Sequence, residues 1–338
     1  PLRRQRQMCI RDRTVTGGAT ATMTTSGADG SSGKTIGISN ELDFTASGEL
    51  DNGMSWKYQV QLDGTSTAND DTRLEIGTDM GTVGFYVSEG GLSSELAYGI
   101  GALGTGFDYA STSTFNHSYD VDGYSNLQYH LPADMLPFGA QVKLGYVPNM
   151  AATTQISAKE SNSPASAGES TGRNLTQVAV SLAPIDGLTI QGDAAETSNE
   201  TGTSGPNGKE TGVSANIGAK YTIGQLSIGY VEGAHQPAIS SGELAYYENK
   251  FYGVQFDVND ALSVSYNVDE SVKNQRVEVA AAATAGTRTT TAMEQKSLQL
   301  AYTSGGATMG IAQVEVDNAD YTAGSTETQS VISLAISF

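Results

Sequence analysis

The chain has one cysteine, one tryptophan and eight prolines in 338 residues, and only 18 Lys and Arg stand against 37 Asp and Glu. A lone cysteine, Cys9, rules out a disulfide framework and a cysteine-based zinc site. Apolar residues make up 38% of the chain, charged residues 16%, and there are 40 glycines with a mean hydropathy of -0.27. That is little core material for a soluble α/β enzyme of this length, and helical periodicity is missing as well. No run approaches the roughly 18 apolar residues that a membrane-spanning helix needs. The net charge of -19 repels nucleic-acid phosphate, so no nucleic-acid partner is expected, and it favours cations near the surface. Five of the scarce basic residues fall within the first thirteen, PLRRQRQMCIRDR, a stretch unlike the rest. RRQRQMCIRDR reads as a translated sequencing adapter standing in place of the native start. Residues 1–13 are therefore expected to be a tail outside a single domain over residues 14–338, and the lack of a visible signal peptide carries no weight.

What the chain does have is alternation. In TQSVISLAISF at the end, Ile332, Leu334, Ile336 and Phe338 share one face, while Val331, Ser333, Ala335 and Ser337 share the other. A strand of period 2 with one large apolar face and one small polar face suits lipid on one side and water on the other. The clearest repeat sets Met54, Trp56, Tyr58, Val60 and Leu62 against Ser55, Lys57, Gln59 and Gln61. Ile36, Ile38, Leu42 and Phe44 likewise oppose Glu41 and Asp43. Similar segments recur to the end, giving a reading of sixteen strands. Their connections alternate between tight turns, such as Asp51-Asn52-Gly53, Pro184 to Gly187 and Asn259-Asp260, and polar loops, such as Gly27 to Lys34, Ala151 to Gly172 and Glu270 to Thr291. Alternation fails over Glu89 to Asp120 and is least clear in Thr308 to Val316.

A chain that must satisfy every backbone group in lipid without a helix has to close into a barrel. The fold class expected is thus all-β: a sixteen-stranded antiparallel transmembrane barrel with short turns at one end and long loops at the other. Phe44, Trp56, Tyr221, Phe256, Tyr302 and Phe338 fall on the apolar face near the short-turn ends, where an interfacial aromatic girdle belongs.

Sixteen strands, an irregular segment after the fifth, the arm LDNGMSWKYQVQLDG and a terminal Phe together resemble the general diffusion porins of Gram-negative outer membranes, especially their alphaproteobacterial branch. The resemblance implies a passive, water-filled channel with no reaction. It also implies a homotrimer, contacts with outer-membrane lipid and lipopolysaccharide, and delivery by the barrel assembly machinery through the last strand. In that family the third outer loop folds inward, its acids facing bases on the wall. Glu89 to Asp120 holds that place, with Glu89, Glu95, Asp108 and Asp120 as constriction acids and Asp122 beside them. The wall bases expected are Lys57, Arg73 and Lys143, with Lys220 a weaker candidate. Glu41, Asp43 and Glu75 share the inner faces, so mild cation selectivity is expected rather than anion selectivity.

The alternatives are a substrate-specific channel and a secreted β-rich adhesin without a lumen. Gly99 to Gly104 matches G-x-G-x-x-G, and Ala28 to Thr35 resembles a phosphate-binding loop. Neither sits between a strand and a helix, so both read as loops. His117, His130 and His235 lie on separate segments without ligand spacing. No cofactor is expected, apart from a structural Ca2+ that Asp120 and Asp122, or Asn318 and Asp320, could hold through loop oxygens.

Overall fold

The computed structural model describes residues 11–28, 31–63, 71–107, 113, 115–133, 135–150, 174–198, 211–238, 243–277 and 288–338. Sixteen strands run in chain order: β1 (Arg11–Ala28), β2 (Ser31–Glu49), β3 (Ser55–Asp63), β4 (Thr72–Thr78), β5 (Gly81–Val87), β6 (Asn126–His130), β7 (Gln141–Val147) and β8 (Leu175–Ile185), followed by β9 (Leu188–Thr197), β10 (Val213–Ile223), β11 (Leu226–Gln236), β12 (Glu243–Asn259), β13 (Leu262–Val277), β14 (Arg288–Ser304), β15 (Ala307–Asp317) and β16 (Thr326–Ser337). Each pairs antiparallel with its sequence neighbours, and β1 pairs with β16 to close the barrel. The last bonds of that seam are reciprocal: the Gly17 amide donates to the Phe338 carbonyl at 2.9 Å, and the Phe338 amide donates to Gly17 at 3.0 Å. Closure satisfies the strand edges that lipid could not.

Facing follows the alternation. Ile36, Phe85, Ile217, Leu298, Ile311 and Ile332 project outward and are exposed. Gln128, Ser265, Gln299 and Ser333 point inward and are buried. Phe44, Tyr221, Phe256, Tyr302 and Phe338 are exposed on the outward face, and Trp56 is half-buried there. The short-turn end is built by local side-chain bonds; in one, Asn259 Oδ1 accepts from the amides of Ala261 at 2.9 Å and Leu262 at 3.0 Å.

Three boundaries differ from the sequence reading. β1 starts at Arg11, and Arg11, Asp12 and Arg13 pair with Gly48, Ser47 and Ala46 of β2. Part of the expected tail is therefore strand; residues 1–10 lie outside the described residues. The Gly/Ser-rich stretch expected as a loop over Gly27 to Lys34 is mostly strand, with Ala28 opposite Ser31. β13 and β14 likewise extend into Glu270 to Thr291, pairing out to Arg276 and Arg288. Beyond the lipid band both faces of a strand meet water, so apolar alternation stops while backbone pairing continues.

Candidate functional site

Between β5 and β6 the chain turns into the barrel and lies along the inside of its wall. Backbone amides of this inward loop donate to inner-face side chains in succession. Ser94 donates to Asp193 of β9 at 2.6 Å, Ala102 to Ser265 of β13 at 2.8 Å, Leu103 to Gln299 of β14 at 2.9 Å, and Ser113 to Glu327 of β16 at 3.1 Å. The returning limb is held by Val121 N donating to Gln177 of β8 at 3.0 Å, and by Tyr119 N donating to Ser214 of β10 at 3.1 Å. Loop backbone that could not stay bare in the lumen thus meets polar wall residues, which is why the inner face is rich in Ser, Asn and Gln.

Part of that wall is apolar. Tyr98, Ile100 and Phe115 of the loop pack with inward-facing Val231 of β11, Phe251 of β12, Met293 of β14, and Val314 and Val316 of β15. Phe115 meets Phe251 edge-on, with centroids 5.9 Å apart. Gly253 and Gly310 allow the approach: a Cβ there would sit 2.9 Å from Ile100 Cγ2 and 2.8 Å from Leu103 Cδ1. Sequence reasoning, which assigned the inner face to water, missed this patch. The signal was present in β15, where both faces carry apolar residues.

The loop's described contacts with the wall run from β5 to β16, and Glu89 reaches back to β4 through Arg73. What stays open faces β1 to β4. There, side chains form a chain of contacts across the strands. Gln59 Nε2 donates to Asp43 Oδ1 at 2.9 Å, Arg73 Nε donates to Gln59 Oε1 at 2.8 Å, and Arg73 Nη1 lies 3.3 Å from Glu89 Oε1. Lys57 stands opposite Glu75, whose Oε1 accepts from the Tyr86 hydroxyl at 2.7 Å. Burial lifts the Glu89 carboxyl above its ordinary range, and the Arg73 charge pulls it partly back. Glu41 and Asp43 border a second opening of about 480 Å³ with Thr16, Thr20 and Gln61, and Asp12 faces an adjoining one of about 710 Å³ with Lys57. Glu41, Asp43, Glu75 and Glu89 thus outnumber Lys57 and Arg73 along this arc.

The loop acids behave differently from one another. Glu89 meets Arg73 in direct contact rather than across an aqueous gap. Glu95 is only 2% exposed and turns away from the opening; its Oε2 accepts from Ser118 N at 2.8 Å and sits 3.1 Å from His117 Nδ1, while its Oε1 meets Asn249. A buried carboxylate needs such donors. Asp120 ties the two limbs together, accepting from Leu92 N and Ser93 N at 2.8 Å each. Asp122 is exposed at the same neck. Asp108 lies outside the described residues. Among the bases, Lys143 lines a small cavity of about 200 Å³ against the limb from Gly91 to Ser94, and Lys220 Nζ donates to Gly99 O at 2.9 Å, holding the loop. Among the described loop acids, Glu89 pairs with the wall base Arg73, in acid-rich surroundings.

The G-x-G-x-x-G stretch is part of this loop, its three glycines all at positive φ. Among the described residues no three His, Cys, Asp or Glu side chains gather to hold a metal. Asp120 Oδ1 and Oδ2 each accept one amide, and Asn318 Oδ1 accepts from Gly324 N at 2.9 Å.

No family model and no curated protein matches the sequence. Solved structures do match in fold. The anion-selective porin from Comamonas acidovorans aligns with TM-score 0.67 at 13% identity over 97% of this chain and 100% of its own. In-vitro folded OmpT, an outer membrane protein of Vibrio cholerae in trimer form, gives 0.64 at 13% over 96% and 99%. Salmonella typhi OmpF in complex with daunomycin gives 0.59 at 11% over 96% and 97%. A closed sixteen-stranded barrel with a loop laid inside it, matched end to end by these proteins, gives this chain the fold of the outer-membrane porins.

Proposed function

We propose that the protein is an outer-membrane porin, a water-filled channel through which small hydrophilic solutes and ions diffuse passively, with no chemical step. The observation that carries this reading is the inward loop. It is fastened to the wall from β5 to β16 and leaves a passage bordered by the charged residues of β1 to β4. A lumen filled by side chains would have no such lining. Because Glu41, Asp43, Glu75 and Glu89 exceed Lys57 and Arg73, and Arg73 is matched by Glu89, the passage favours cations mildly. The solved neighbour named anion-selective does not share its selectivity with this chain on that account. The trimer form of the Vibrio cholerae protein supports a homotrimer here. The exposed apolar belt suits outer-membrane lipid with lipopolysaccharide above it, and the strand ending in Phe338 suits recognition by the barrel assembly machinery.

Purified protein added to a planar bilayer tests this. Stepwise openings are expected, in groups of three, with a reversal potential under a tenfold KCl gradient on the cation-selective side. Lys57→Gln should raise that preference, and Glu41→Gln combined with Asp43→Asn should lower or abolish it. A silent bilayer contradicts the channel, and a saturable current blocked by one solute favours the substrate-specific alternative.

A further inference from the structure

The two limbs of the inward loop leave a cleft of about 650 Å³ between them, with β11 beneath. Its floor is His235, which is 7% exposed. The imidazole is stacked on Tyr119, with centroids 4.8 Å apart and planes at 27°, and meets the edge of Tyr247 at 6.1 Å. Tyr119 is pinned in turn, its hydroxyl accepting from Ala238 N at 2.8 Å. Leu96 and Tyr124 form apolar sides, and Asp122 stands at the mouth.

The polar groups of this cleft are mostly spent. Glu95 and Asp120 border it, but their oxygens accept from protein donors. The His235 ring hydrogen-bonds the His117 backbone, while its Nδ1 is buried and has no partner. A neutral imidazole that donates through one nitrogen offers a lone pair at the other. Acceptor capacity remains on the Asp122 carboxylate and on the His235 lone pair. Three carboxylates border the cleft and, among its described lining residues, no Lys or Arg does. An anion meets only repulsion there. An ion lacking an apolar part leaves Leu96 and the tyrosine faces unused. A cation carrying a ring uses all of them, through charge, N–H donation and cation–π contact.

We propose that this cleft is a binding site for small ring-bearing alkylammonium ions. The site belongs to the folded loop and does not require that the chain conduct. Calorimetric titration of the protein folded in detergent micelles tests it, with phenethylammonium, ethylammonium and phenylacetate as separate probes. Phenethylammonium should bind saturably, and the other two should give no saturation over the same range. Asp122→Asn should weaken phenethylammonium roughly fivefold, the size of one exposed charge contact, and His235→Phe, which keeps the ring stack, should weaken it as well. Absence of saturable phenethylammonium binding, equal binding of phenylacetate, or unchanged affinity in Asp122→Asn would overturn the proposal. Asp122 is exposed in a loop, so its variant decides the matter even if His235→Phe fails to fold. A protein silent in bilayers that still binds phenethylammonium upholds this site, and a conducting protein that does not bind it refutes the site alone.

Discussion

The Asp120 carboxyl ties the neck of the inward loop. Burial, with the Asp122 charge beside it, pushes Asp120 up to about 6, against the downward pull of the Leu92 and Ser93 amides. Folding therefore favours its protonated form. The stabilisation that follows is fully present below about pH 4, the range of an unfolded Asp, and is lost as pH rises through about 6. Thermal melting in detergent should accordingly show higher stability at pH 4 than at pH 7 from this group, on the order of 2 kcal/mol. Asp120→Asn keeps one acceptor, lowers stability overall and should flatten that slope; a slope unchanged in the variant removes Asp120 as its source. At this scale the sequence was informative where alternation applied. Glu41, Asp43, Lys57, Arg73 and Glu75 could be turned inward by counting in twos. Glu95 and Asp120 could not be oriented, because a loop has no period to say which way a side chain points. The acceptors Asp193 and Asp269 were also out of reach, since their partners lie about 100 and 171 residues away in sequence.

Among the elements, the inward loop departs furthest from a simple barrel. Its place after the fifth strand was legible as a failure of alternation, whereas its docking site was not. The docking face is written in positions that break the polar inner pattern: Val231, Phe251, Met293, Val314 and Val316. Each looks like noise in a single strand, and only the assembled barrel lines them up beneath Tyr98, Ile100 and Phe115. Strand lengths were misjudged for the opposite reason, because β1, β2, β13 and β14 continue past the lipid band, where nothing requires one face to be apolar. At Gly310 the side-chain space is filled by Leu103 of the loop. Gly310→Val suits strand propensity yet collides with the loop, at a cost of about 1–3 kcal/mol. The barrel should stay folded while the loop becomes more open to protease and single-channel conductance falls as it shifts toward the passage. Unchanged proteolysis and conductance would mean that the loop does not rest on that strand.

For the whole molecule, the composition that looked poor for a globular protein is what an inverted arrangement needs, with apolar residues outside, polar residues inside and every strand edge paired through β1 and β16. The central claim is that the interior is divided: one side sealed beneath the inward loop, the other open along β1 to β4. Gln61 borders an opening on the open side, and Ser297, fully buried on β14, belongs to the covered side. In a Cys9→Ser background, single-channel recording of Gln61→Cys and Ser297→Cys during exposure to a negatively charged methanethiosulfonate reagent reads this division directly. Current through Gln61→Cys channels should drop in irreversible steps as each thiol reacts, while Ser297→Cys channels should be unaffected. Block of Ser297→Cys with Gln61→Cys untouched, or equal block of both, would contradict it.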